Sequence, residues 1–164
     1  MSKKITATFQ NRFEMESALR QLTAIGVGDG QIGVIMNDET HGKSFRIKDD
    51  NKSDEGMVAG ATVGGIATGL LAAVAGAGTL AIPGLSLVVA GPVVAGLAGA
   101  GLGAAAGGIV GGLIGLGIPE HEAKLYQGEI KAGRILLAVE ALDDKQAQQV
   151  KRVFENAHAL NIAA

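Results

Sequence analysis

The chain has 164 residues, 14 basic and 16 acidic side chains, a net charge of −2 and no cysteine, which leaves room for one domain and an insertion. Without cysteine there is no disulfide framework, no thiolate chemistry and no Cys-based metal site; without a basic patch or stripe there is no electrostatic footprint for nucleic acid. Aromatic residues make up 3% and tryptophan is absent, so the aromatic belt common at membrane interfaces is missing.

In chain order, Ile5 to Phe9 alternates apolar residues with threonine and predicts a half-buried strand. Asn11 caps a helix from Arg12 to Ala24 with Phe13, Ala18, Leu19, Leu22 and Ile25 as its apolar face. Gly26 to Gly30 ends it, and Gln31 to Met36 reads as a second strand, giving a β-α-β unit over residues 1–37. Residues 38–55 are polar and charged, with one apolar spot at Phe45 and Ile47, and read as a linker.

From Gly56 to Pro119 there is no Asp, Glu, Lys, Arg or His, and nineteen of the chain's 26 glycines fall here. Gly56, Gly60 and Gly64 stand four apart. Gly91, Ala95, Gly99, Gly103, Gly107, Gly111 and Gly115 keep the same step. Residues four apart share a helix face, so each row forms a groove along which another backbone approaches closely. In water each glycine weakens a lone helix by about 0.8–1 kcal/mol relative to alanine, a loss that close packing must offset. The pattern predicts a glycine-zipper helical hairpin over 56–118. Its helices run over 57–80 and 92–116, each about 36 Å long and longer than the roughly 20 residues that cross a hydrocarbon core. Pro83 and Gly84 mark the turn, followed by an apolar run from Ser86 to Ala90. The partner surface is either lipid or copies of the chain itself.

Residues 119–164 form the second half of the folded part. Pro119 with Glu120 and Glu122 starts a helix that runs to about Lys131. Ile135 to Ala141 is a strand, Asp143 caps a helix over about 144–157, and Leu160 to Ile162 adds an edge strand. The elements outside the hairpin fit a small α+β module of ferredoxin-like type, with helices on one face of the sheet. The N-terminus lacks the apolar core of a signal peptide. Lys43, Arg46, Lys48 and Lys52 before the hairpin, with Lys124, Lys131 and Arg134 after it, place both of its ends on the cytoplasmic side of a membrane.

Four stretches carry a family resemblance: Ala81-Ile82-Pro83-Gly84, Ala90-Gly91-Pro92, Gly117-Ile118-Pro119-Glu120-His121-Glu122-Ala123 with Tyr126, and Gly133-Arg134-Ile135-Leu136-Leu137-Ala138-Val139. Together they resemble the bacterial general stress protein (heat-induced stress protein) family, in which a small α+β module accompanies a glycine-rich apolar centre. The resemblance spans about residues 4–154. It implies a role in stress response and brings no enzymatic activity, cofactor or catalytic residue; many members have glycine where Arg134 stands.

Candidate chemical sites are each set against a plainer reading. Gly28-Asp29-Gly30-Gln31-Ile32-Gly33 matches G-x-G-x-x-G, but it follows a helix and opens a strand, the reverse of a dinucleotide fingerprint. Gly99-Ala100-Gly101 lacks the Lys-Ser/Thr tail of a phosphate loop. His41, His121 and His158 have no second ligand at metal spacing. Asp49, Asp50, Asp54 and Glu55 lack EF-hand spacing. Asp143-Asp144 reads as a helix cap and Tyr126 as a packing residue. The resulting expectation is a non-enzymatic stress-response protein with no cofactor and no metal, whose partners are itself and membrane lipid. Its hairpin inserts and self-associates while the module stays cytoplasmic. A soluble assembly that buries its hairpins against one another is the alternative, and a small-ligand sensor on the module is a third reading.

Overall fold

A computed structural model describes residues 2–44, 79–82, 85–93 and 108–164. In chain order these form β1 (Lys3–Phe9), α1 (Arg12–Ala24), a 3-10 turn at Asp29–Gln31, β2 (Ile32–Asn37), α2 (Asp38–Ser44), β3 (Thr79–Ile82) and β4 (Leu85–Ala90). After these come α3 (Gly108–Gly115), α4 (Glu120–Lys131), β5 (Ile135–Ala141), α5 (Asp144–Asn156) and β6 (Leu160–Ala163). Among the described residues the strands join one sheet in the order β3-β4-β2-β5-β1-β6, and every neighbouring pair is antiparallel. The architecture is α+β.

Side chains alternate between the two faces of a strand, and here both faces are put to use. Ile5, Ala7 and Phe9 of β1, Val34 and Met36 of β2, and Ile135, Leu137 and Val139 of β5 point to one face. They pack there against Met15, Ala18, Leu19 and Leu22 of α1 and Val150, Val153 and Phe154 of α5. Phe9 and Phe154 meet edge to face at 5.7 Å between centroids. The opposite residues, Ile35, Leu136 and Ala138, pack against Ile109 and Leu113 of α3 and Ala123, Tyr126 and Ile130 of α4.

Helices on one face only is therefore corrected: α4 and α3 close the second. The physical reason lies in β5, where Leu136 and Ala138 are as apolar as their outward neighbours, so neither face tolerates water. A smaller correction concerns α1. Its buried stripe is Met15, Ala18, Leu19 and Leu22, while Phe13 is 74% exposed. Phe13 lies two residues before Met15, about 200° round the helix, and cannot share its face. Asp38–Ser44, read as linker, is helical; Asn37 Oδ1 accepts the Thr40 N–H at 2.6 Å and so starts the helix.

The glycine-rich stretch differs most from expectation. Thr79 and Leu80, assigned to the first helix, belong to β3, and Ser86 to Ala90 belongs to β4. β4 pairs with β2 from Val34↔Ala90 to Asn37↔Leu87. Pairing β2 on its outer side satisfies backbone groups that an edge would expose, and Val88 and Val89 suit a strand better than a helix. The predicted helix over 92–116 is also interrupted. Gly108 has φ +58°, which no right-handed helix runs through, and α3 starts there. Residues 57–78 of the first predicted helix and 94–107 of the second lie outside the described residues. Among those described, no helix is long and apolar enough to cross a membrane.

Candidate functional site

The predicted packing glycines are distributed unevenly. Gly56, Gly60, Gly64, Gly99, Gly103 and Gly107 lie outside the described residues, as do Pro83 and Gly84. The last two fall between Ile82 and Leu85, which pair with each other across a β-hairpin, so the link joins two strands rather than two helices. Gly91 is not on a helix face. It follows β4 at φ +92°, and a Cβ there would stand 2.3 Å from the Ile32 carbonyl oxygen. Glycine is required at this position for close backbone approach, not for a groove.

Gly111 and Gly115 do share a face of α3. Ile109 and Leu113, also four apart, turn into the core. The glycine pair is about 200° away from them and looks outward beside Ile114, which is 44% exposed. A Cβ at Gly115 would meet nothing within 4 Å. The α3 end itself is firmly made. Ile118 N–H reaches Leu113 O at 3.1 Å and Gly117 N–H reaches Ile114 O at 2.8 Å, with Gly117 at φ +87°: a Schellman stop whose flanking apolar pair, Leu113 and Ile118, is buried.

The chain leaves and rejoins the module at fastened points. At α2, Asn37 Nδ2 donates to Ile130 O at 2.9 Å and Thr40 Oγ1 to Gly133 O at 2.9 Å, tying that helix to the carboxyl end of α4. His41 is buried on α2. At α3, the Lys4 ammonium donates to the Leu116 carbonyl, a cation on the negative end of a helix dipole. Between these anchors α4 is held by Tyr126. Its hydroxyl donates to Asn161 O at 2.9 Å and is hydrogen-bonded to Thr6 Oγ1 at 2.8 Å. Burial pushes the phenol up to about 12, the Thr6 hydrogen bond lowers it in part, and the Glu122 charge adds to the rise. Thr8, fully buried, receives a hydrogen bond from Asn161 Nδ2 at 3.3 Å and donates to Leu160 O at 3.2 Å. The Thr6–Thr8–Tyr126 set was missed in the sequence. Its signal was the pair of threonines alternating with Ile5, Ala7 and Phe9, which only a covered second face would bury.

No nucleophile, base and orienting group converge among the described residues. Gly28 and Gly30 belong to the 3-10 turn before β2, where Gly28 N–H donates to Gln31 Oε1 at 3.0 Å. His121 is 81% exposed, with Nε2 3.7 Å from a Glu122 oxygen. His158 follows α5 at φ +59°. The three histidines sit on separate elements, and no three His, Asp or Glu side chains gather where they could hold a metal ion among the described residues. Asp143 Oδ1 accepts the Gln146 N–H at 2.7 Å as the cap of α5. A cleft of about 870 Å³ opens beside the start of β1, lined by Lys3, Lys4, Lys151, Glu140 and Asp144. Lys3 and Asp144 pair across it at 2.7 Å, and Lys3 holds the Asp144 carboxyl below its usual range. Gly99 to Gly101 and Asp49, Asp50, Asp54 and Glu55 lie outside the described residues. No protein-family model, curated protein or solved structure matches the chain.

Proposed function

We propose that the protein is a non-enzymatic stress-response protein that acts by self-association, its glycine-rich apolar segments being covered by the same segments of other copies. The observation that carries this reading is the closure of the module. α1 and α5 occupy one face of the sheet, α3 and α4 the other. The exposed large apolar side chains among the described residues, Phe13, Ile114, Leu125 and Leu142, are scattered over different elements. The faces of β1, β2 and β5 are thus taken up by the module's own helices, so a surface outside this core must cover the uncharged residues of 56–78 and 94–107. The stress role rests on the family resemblance.

Copies are favoured over lipid by chain length. Ser44 and Thr79 belong to the same folded module, as do Val93 and Gly108, so a chain leaving it must come back. A helical crossing and return takes about 40 residues, more than 45–78 or 94–107 holds. Within the module, β1-α1-β2 and β5-α5-β6 contribute the strand order β2-β5-β1-β6. This supports a ferredoxin-like reading to which β3, β4, α3 and α4 are additions. Light scattering of the purified chain, with and without detergent, tests the proposal. A uniform particle of several chain masses is expected in buffer alone. A monomer without detergent refutes it, and flotation with liposomes would assign the covering surface to lipid.

A further inference from the structure

Six strands leave two edges, and the two are built differently. At the β6 edge the register slips between Thr6↔Ala163 and Thr8↔Leu160, and Asn161 within the strand has φ +52°. A bulged strand of this kind is a poor template for a neighbour. The β3 edge holds four successive pairs with β4, from Thr79↔Val88 to Ile82↔Leu85, without a slip. Its sequence, Thr-Leu-Ala-Ile, has neither charge nor proline, the devices that usually blunt an edge. Among the described residues β4 is its only partner, so one line of its backbone N–H and C=O groups is directed away from the sheet.

The geometry points to β3 as the strand through which two copies of this chain join, each β3 lying antiparallel to its twin about a two-fold axis. This inference rests on the self-association reading and names the strand that makes the first contact. Three features select a copy over a foreign strand. Every pair in the sheet is antiparallel, so a two-fold pairing continues the existing pattern across the join. The edge carries no charge with which to recognise a charged partner. It also lies inside the uncharged stretch from Gly56 to Pro119, so joining twins there brings no like charges together. With the axis at Leu80, Leu80 faces the partner's Leu80 and Thr79 faces the partner's Ala81, since directly opposed residues of an antiparallel pair share a sheet face.

Directly opposed residues of an antiparallel pair have Cα atoms about 4.5–5.5 Å apart, within disulfide reach. The chain contains no cysteine, so introduced thiols report without background. Leu80→Cys chains, mildly oxidised, are expected to give a disulfide-linked dimer of two identical chains. Gly30→Cys chains, with the thiol on the exposed 3-10 turn before β2, are expected to give none under the same conditions. Ala81→Pro, which removes a β3 N–H, is expected to lower the particle mass at least twofold. Absence of the 80–80 link together with an unchanged mass for Ala81→Pro overturns β3 pairing and leaves self-association standing. A wild-type chain that already sizes as a single copy removes both.

Discussion

Tyr126 gives the module an alkaline limit that can be measured on one residue. Its side chain is fully buried on the second face of the sheet, and its hydroxyl holds Thr6 and the Asn161 carbonyl. Burial, the dominant cause, raises the phenol from 10.0 to about 12. A phenol raised in the folded state keeps its proton there after the unfolded chain has lost it. Its contribution is therefore complete below pH 10 and disappears as pH climbs from 10 to about 12. At about 1.4 kcal/mol per pH decade, roughly 3 kcal/mol of stability is lost across that window. Because the chain has one tyrosine and no tryptophan, tyrosinate absorbance follows this group alone. Native protein should titrate near 12 and urea-unfolded protein near 10. The Tyr126→Phe variant separates this loss from lysine deprotonation in the same range. It should lose about 1–3 kcal/mol at neutral pH by leaving Thr6 and the Asn161 carbonyl without their partner, and its stability should fall less steeply between pH 10 and 12. A native titration near 10, or an unaltered alkaline slope in Tyr126→Phe, refutes the reasoning.

Gly91→Ala should cost at least about 2 kcal/mol in urea unfolding, because its Cβ would sit 2.3 Å from the Ile32 oxygen at φ +92°. A loss under about 0.5 kcal/mol would show that the β2–β4 approach is looser than described. Leu113→Ala, at a fully buried position, should cost about 2–5 kcal/mol. Hydrogen exchange should localise the loosening to α3 and α4, and exchange raised first in α1 would contradict the two-face arrangement. On the proposed self-association, Gly103→Leu with Gly107→Leu should lower the particle mass while circular dichroism keeps the α+β signature, since bulky side chains hold neighbouring backbones apart; an unchanged particle size counts against that proposal.

The most legible parts of the fold were those governed by local chemistry. Asn11 caps α1 and Asp143 caps α5, each through the side-chain oxygen that its residue type predicts, and β5 spans Ile135–Ala141 as its apolar run indicates. What stayed hidden depended on contacts between distant residues. Glu120–Lys131 was visible as a helix, but which face it covers is decided by Thr6, Ile35 and Leu136, each far away in sequence. Ala81 to Ala90 offered a turn and an apolar run, a pattern that does not distinguish a helical link from a β-hairpin. The choice is made by the open side of β2, which only the assembled sheet presents. Of the predicted packing residues, Gly91 shows how one spacing can serve two purposes: it keeps the four-residue step, yet its glycine is needed because the backbone passes over Ile32.

The placement of β3 and β4 also changes how the apolar centre relates to the module. A single hairpin inserted between two half-modules could swing out without disturbing the sheet. With β4 paired to β2 over four residues and α3 buried through Ile109 and Leu113, the centre is stitched into the fold at its middle and at its end.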